Sequence, residues 1–321
     1  MSQQVVLLTK QLPSSKRLLE MFEQDCRDRQ LSDESIHHYR RIASTFLAYL
    51  QTKGLTAFTL DKFRLVEYLR QRRSEGVQQK TLENNFTVLS TLYDYLVFEE
   101  LVTKNPVAGV RKRFLRRYKD ENDVEAESPR KLLTIEEMSR LINSILDTRD
   151  KAILAVLAKT GVRRGELIAM DVSDIDWSNQ SITLKPKFKK RSNRLVYFDD
   201  ETSRVLRRWV NQRENLHPET PALFIGERGD RLKRHGVYQM TVKYATAVGL
   251  HDPKSKNPAN RFGPHSCRHF FTTWLRRQGM SREFIKVLRG DRRTEAIDLY
   301  DRIDREELRR AYLAYIPQLG I

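Results

Sequence analysis

Three short stretches of this chain hold side chains suited to phosphate chemistry. They are Thr160-Gly161-Val162-Arg163-Arg164-Gly165-Glu166-Leu167, His265-Ser266-Cys267-Arg268-His269, and a later tyrosine, Tyr300. Arginine is permanently charged and can fork onto two phosphate oxygens at once. Histidine can move a proton near neutral pH, and a tyrosine oxygen can hold a phosphoryl group covalently. Arg163, Arg268, His265 and Tyr300 are together the parts needed to attack a phosphodiester without a metal ion. No other group of residues in the sequence forms a comparable set.

Charge points to the same substrate class. The net charge is +17, and residues 131–321 hold 37 Lys and Arg against 24 Asp and Glu. Residues 1–110 are nearly balanced, with 15 against 13, and residues 111–130 hold 7 against 5. The excess therefore lies with the motifs, and a polyanion that releases counterions on binding is the natural partner. A composition of 39% hydrophobic and 31% charged residues is that of a folded globular protein and not of a disordered one. No run of eighteen apolar residues exists, so no membrane partner is expected. The Val5-Val6-Leu7-Leu8 run has neither a charged leader nor a small-residue cleavage site, which argues against a signal peptide. Cys26 and Cys267, far apart in sequence, suggest a reducing, intracellular setting and no disulfide. A cytoplasmic, DNA-associated location is expected.

The elements that must position these residues are mainly α-helical. Apolar residues at intervals of three or four predict helices over Ser15–Arg29, Ser32–Leu50, Asp61–Gln71 and Lys80–Leu101, a small bundle within residues 1–110. Residues 111–130 are charged, with few apolar anchors and a Ser128-Pro129 break, and read as an interdomain linker. Its arginines and lysines could follow a nucleic-acid backbone or merely keep a tether solvated. The second domain, 131–321, opens at Thr134, whose spacing to Glu137 fits a capping box. Helices follow through Leu146 and over Asp150–Lys159, where Gly161 ends the second. Ser181–Leu184 and Arg194–Phe198 read as a β-hairpin with a cationic tip. Further helices are expected over Thr202–Asn215, Gly236–Ala247, His265–Arg277, Ser281–Leu288 and Asp304–Tyr315. The fold class is thus mainly α, with a helical bundle followed by a mostly α domain that holds a small antiparallel sheet.

Taken together, these motifs resemble the tyrosine recombinase (phage-type integrase) family over nearly the whole chain. The resemblance implies a SAM-like, DNA-clamping core-binding domain at 1–110 and a catalytic domain at 131–321. It implies that Arg163 and Arg268 bind the non-bridging oxygens of the scissile phosphate and stabilise the transition state. Glu166 would orient Arg163 from behind. His265, three residues before Arg268, would share a helical face with it and serve proton transfer or phosphate binding. His269 points at another angle, and a packing or supporting role is expected for it. Arg164 would make a surface or DNA-backbone contact. The family's general acid is a lysine on the hairpin. Lys185, Lys187, Lys189 and Lys190 are available, and the match falls on Lys189, with Lys187 and Lys190 as rivals for that role and, with Arg191, as DNA contacts. Tyr300, nine residues after Asp291, is the nucleophile of the resemblance, and Tyr312 and Tyr315 are packing residues.

Asp291 departs from the pattern, because the family usually places His or Trp there to donate a hydrogen bond to phosphate. An ionised carboxylate would repel that phosphate. The expectation is that Asp291 faces away and pairs with Arg292 or Arg293, or orients another donor such as Arg289.

The resulting reading is a site-specific recombinase acting on double-stranded DNA through a 3′-phosphotyrosyl intermediate, with no cofactor and no metal. A homo-oligomer is expected, a tetramer on DNA and a monomer in solution. The residues after Tyr300, with Leu308, Tyr312, Leu313 and Ile316 at helical spacing, could pack on a neighbour or on their own domain. Two alternatives stand beside this reading: a DNA-binding protein of the same fold with impaired catalysis, and a type IB topoisomerase-like enzyme that nicks and reseals. Scattered carboxylates speak against a metal nuclease, and Cys267 has no second cysteine nearby to suggest zinc.

Overall fold

Helix α1 (Ser15–Asp28) follows a Ser14 side chain that accepts from the Arg17 N–H at 3.3 Å, and α2 (Asp33–Thr52) is capped likewise by Ser32. Asp61 caps α3 (Lys62–Ser74) at 2.9 Å, and α4 (Gln79–Phe98) follows. Each such cap satisfies a backbone donor that the helix itself cannot, worth about 1 kcal/mol. The computed structural model describes residues 12–115, 132–185, 194–255, 257–291 and 303–321. They fall into two compact units, Met1–Val124 and Glu125–Ile321.

The first unit packs the apolar stripes of α1 to α4 around Phe22, Phe46, Phe86 and Tyr93. The buried Tyr93 hydroxyl donates to the Ala57 carbonyl at 2.9 Å, so its polar end is satisfied inside the core. A short α5 (Val107–Val110) runs directly into a wider, π-type turn at Arg111–Leu115. The expected linker beginning at residue 111 is corrected here for its first five residues. Leu115 is buried in the core of this unit, Arg73 donates to the Phe114 carbonyl at 2.9 Å, and Arg111 reaches Thr87 at 2.9 Å. An apolar anchor and hydrogen bonds with α3 and α4 hold residues that charge alone marks as solvated.

The second unit opens with the expected capping box. Thr134 accepts from the Glu137 N–H at 3.1 Å, and Glu137 accepts from the Thr134 N–H at 3.0 Å, ahead of α6 (Ile135–Asn143). Helix α7 (Thr148–Thr160) is its centre, and every residue from Ala152 to Thr160 is buried. A helix that is covered on all sides must be packed on several faces, and α7 is flanked by α9 (Asp200–Asn215) and α11 (Pro264–Arg277). The short α8 (Arg164–Leu167) comes next. Strands β1 (Ile175–Asp176), β2 (Ser181–Leu184) and β3 (Arg194–Tyr197) form an antiparallel sheet in sequence order. Ile175 lies opposite Ile182, and Leu184 opposite Arg194. Helices α10 (Arg234–Ala247), α12 (Arg282–Arg289) and α13 (Arg305–Tyr315) complete the described elements.

Of the two packings open for the residues after Tyr300, the structure has the one on their own unit. Leu308, Tyr312 and Ile316 share a core cluster with Phe271, Leu275, Ile285 and Leu288. Beyond α13, the buried Leu319 joins the main core, and its N–H donates to Glu201 at 2.8 Å. Lys159, fully buried on α7, binds Asp199 and Glu201 at 2.6 Å each and the Pro317 carbonyl at 2.7 Å. No helix among the described residues is long and apolar enough to cross a membrane.

Candidate active site

Gly161 ends α7 with φ +62°, a left-handed conformation that glycine adopts without strain. Space demands glycine as well, since a Cβ there would lie 2.3 Å from Cδ1 of Phe271 on α11. The end of α7 therefore sits against α11, and the Gly161 carbonyl accepts from Nη1 of Arg268 at 2.6 Å. Two residues on, Arg163 occupies the N-cap of α8, and its N–H donates to the Glu166 carboxylate at 2.7 Å. The other Glu166 oxygen meets Nη1 of Arg163 at 3.3 Å, so one carboxylate holds this arginine by backbone and side chain together.

Glu166 is itself fixed from β3. Arg194 forks onto both of its oxygens at 2.9 and 3.0 Å, the bidentate geometry that makes guanidinium–carboxylate pairs directional. Nε of Arg194 also donates to the Leu288 carbonyl at 3.3 Å, tying the strand to the last turn of α12. That helix ends at Gly290, φ +61°, where a Cβ would come within 2.6 Å of Nη1 of Arg194. The turn brings the chain back so that residues 289 and 291 both face the arginines.

Arg163 and Arg268 converge there. The Arg289 carbonyl accepts from Arg163 at 3.2 Å and from Arg268 at 2.8 Å. One oxygen of Asp291 accepts from Nη2 of Arg163 at 3.3 Å and from Nη2 of Arg268 at 3.1 Å. Its other oxygen lies 3.1 Å from Nε of Arg289. The expectation that Asp291 faces away is thus corrected: it turns inward, because three guanidinium groups in one place attract a carboxylate. Of the partners foreseen for it, Arg289 is found, while Arg292 and Arg293 lie outside the described residues. Burial pushes the Arg268 guanidinium down to about 10, with Arg163 and Arg289 adding to the fall and Asp291 and Glu166 opposing it. It remains charged at neutral pH, in a setting where a further anion would be welcome.

The first two turns of α11 place His265 and His269 at the surface, with ring centroids 4.6 Å apart and planes nearly perpendicular. Arg268, on the same helix, is buried. Both histidines are exposed, whereas Arg268 is drawn inward by three acceptors. His269, for which a packing or supporting role is expected, meets the ring of His265 edge-on. Arg164 is half-buried at the start of α8.

Lys185, at the end of β2, pairs with Asp171 and with Asp174, the latter at 3.2 Å. Its bond to Asp171 above all holds its charge on, with its pKa raised above the ordinary lysine value. The other hairpin residues expected to act, Lys187, Lys189, Lys190 and Arg191, lie outside the described residues, as does Tyr300. Tyr312 is buried, donates to the Lys159 carbonyl at 3.0 Å, and has a hydroxyl that burial holds well above the usual phenol range. It is a packing residue, as its helical spacing suggested. Among the described residues no group of three or more His, Cys, Asp or Glu stands together as a metal-binding set would.

Sequence reading missed Arg194 as a part of the site. One signal was available: along β3 it shares a side of the strand with Val196, which is buried, so a charged residue there needs a partner inside. Its partner Glu166 is twenty-eight residues earlier, and no local pattern links the two.

Both units are similar to known proteins. The phage integrase family matches residues 131–307, and the phage integrase N-terminal SAM-like domain matches residues 19–100. Tyrosine recombinase XerC of Haemophilus ducreyi is 26% identical over 297 residues, covering 91% of each chain. Tyrosine recombinase XerD of Oceanobacillus iheyensis is 24% identical over 308 residues, covering 91% of this chain and 95% of the relative. Among solved structures, the fold is similar to the Tn1549 transposon integrase in complex with transposon right end DNA, with a TM-score of 0.65, 16% identity, and coverage of 91% and 97%. It is also similar to a lambda integrase dimer bound to a COC′ core site, with a TM-score of 0.64, 18% identity, and coverage of 90% and 98%. The chain belongs to the phage integrase family, the tyrosine recombinases.

Proposed function

We propose that this protein is a site-specific DNA recombinase that cleaves and rejoins duplex DNA through a 3′-phosphotyrosyl intermediate. The observation that carries the reading is the convergence of Arg163 and Arg268 on a single anionic oxygen. Two guanidinium groups held on one acceptor form a preorganised site for the non-bridging oxygens of a phosphodiester, where negative charge grows in the transition state. Relatives named tyrosine recombinases over nine-tenths of the chain support the same assignment.

In this reading the Tyr300 oxygen bonds to phosphorus as the bond to the 5′ oxygen breaks. The phenolic proton passes to His265 or to water, and the departing 5′ oxygen takes a proton from Lys189. A 5′ hydroxyl from another strand then attacks the phosphotyrosyl bond, and the proton transfers run in reverse. The phosphoester bond is exchanged and not hydrolysed, so its energy is kept and no ATP is consumed. Lys187, Lys190, Arg191 and Arg164 contact the DNA backbone, and Glu166 positions Arg163. Strand exchange between two sites calls for a tetramer on DNA, with four tyrosines for four strands.

The test is a duplex nicked beside the cleavage point, from which the freed fragment escapes and strands the enzyme on the DNA. An adduct that survives denaturation is expected, and Tyr300→Phe should abolish it while retaining DNA binding. An adduct that persists in Tyr300→Phe would reassign the nucleophile. A second reading, a DNA-binding protein with impaired catalysis, is favoured by the Asp291 carboxylate against both arginines. It expects binding and no adduct from the unaltered chain.

A further inference from the structure

The Asp291 carboxylate engages three guanidinium groups, and only two of them have been given work above. One oxygen serves Arg163 and Arg268, and the other faces Nε of Arg289 at 3.1 Å. We propose that Arg289 is a third phosphate-binding guanidinium of this site, kept in place by Asp291 until the scissile phosphate takes that carboxylate's position. The inference rests on the recombinase reading.

Four features carry it. A carboxylate and a phosphodiester each offer two oxygens bearing one negative charge, so donors gathered by the first are set for the second. The backbone of Arg289 cannot drift, because its carbonyl is held by both Arg163 and Arg268. Its Nε is shut off from solvent yet has no aligned hydrogen-bond acceptor, since Asp291 lies within charge-pair distance but off the bond direction. Buried donors are seldom left unmatched, and a better-placed acceptor would engage this one. Finally, a third of the Arg289 side chain is exposed, so an incoming strand can reach it, whereas Arg268 is almost wholly enclosed.

Charge accounting agrees. Glu166 is matched by the Arg194 fork, which leaves Arg163, Arg268 and Arg289 facing one carboxylate, Asp291, among the described residues. Exchanging a monoanionic carboxylate for a monoanionic phosphodiester leaves the balance unaltered. The surplus of two positive charges then meets the extra negative charge that develops as the tyrosine attacks. Asp291 is in this account a positioning residue, and Arg289 touches the substrate.

The experiment measures adduct formation on the nicked duplex with Arg289→Ala and Arg289→Lys. Each is run on the natural phosphodiester and on a methylphosphonate at the scissile position, which lacks the charge that a third cation would balance. On the natural substrate Arg289→Ala should slow cleavage on the order of 10²-fold, as for loss of one oxyanion donor. Arg289→Lys should lie between the two. On the methylphosphonate the loss should shrink to a few-fold. Unchanged rates in Arg289→Ala, or equal losses on both substrates, would overturn the inference and leave the recombinase reading standing. No adduct from the unaltered chain would overturn the recombinase reading and this inference with it. Should Arg289→Ala not fold, the ratio of rates on the two substrates in Arg289→Lys decides: an unchanged ratio sinks the proposal.

Discussion

Arg194 shows how much of this site depends on residues that would never touch DNA. Its guanidinium grips both oxygens of Glu166, and Glu166 grips Arg163 by backbone and side chain. Losing the outer member should let the inner one wander. Arg194→Ala is expected to slow adduct formation by up to about 10²-fold, the effect of a misplacement near 1 Å, with little change in DNA affinity. Arg194→Lys should not rescue it, because an ammonium cannot reproduce a planar fork. Rates for the two variants on the nicked duplex check this, and full activity in Arg194→Lys would refute the role of the fork. At this scale the sequence revealed the types that do chemistry, and Arg163, Glu166 and Arg268 do meet. It left two courses open for Asp291, of which the structure has the contact with Arg289, but attraction to Arg163 and Arg268 was not weighed. That attraction exists only after α11 and α12 come together, so no spacing rule contains it.

At the scale of elements, helices were the readable part. Periodicity placed α1 to α4, α9, α11 and α13 within a few residues, and the Thr134–Glu137 box was seen before its geometry was. Helices α7, α9 and α10 each begin two residues earlier than the apolar pattern suggests, because polar residues fill their first turns. The two-residue strand β1 carried no signal of its own, being too short to alternate. Gly161 was read only as a stop, although it is also a contact. Gly161→Ala would put a side chain in the left-handed region, at about 1–2 kcal/mol, and push Phe271 away from α7. A melting temperature lower by several degrees is expected, together with slower adduct formation, since the Gly161 carbonyl steadies Arg268. Combining it with Phe271→Leu should recover part of the melting temperature. If the double variant melts no higher than Gly161→Ala alone, the steric part of the argument is wrong.

At the scale of the whole second unit, the deepest charge among the described residues is Lys159, between Asp199 and Glu201. Burial alone would raise both carboxyls, yet the Lys159 ammonium and their hydrogen bonds hold both below their ordinary values. Depressed carboxyl pKa values stabilise the fold above the unfolded values near 4 and cease to do so as pH falls through the folded ones. Acid unfolding should therefore set in below about pH 4. Lys159→Met would leave two enclosed carboxylates unmatched, at about 3–5 kcal/mol. Because those carboxyls would then bind protons more readily than in the unfolded chain, the deficit should narrow between pH 7 and pH 4. Urea midpoints at the two pH values test this, and a deficit that stays constant would refute it. Arg268 has a comparable place in the architecture, for its single planar group joins the end of α7 to the end of α12 from within α11. It is a strut as well as a ligand. A descendant that gave up cleaving DNA would still need that strut, whereas nothing described here obliges it to keep Tyr300. In such a lineage the arginine would outlive the activity, and the tyrosine would be the better witness of whether cleavage persists.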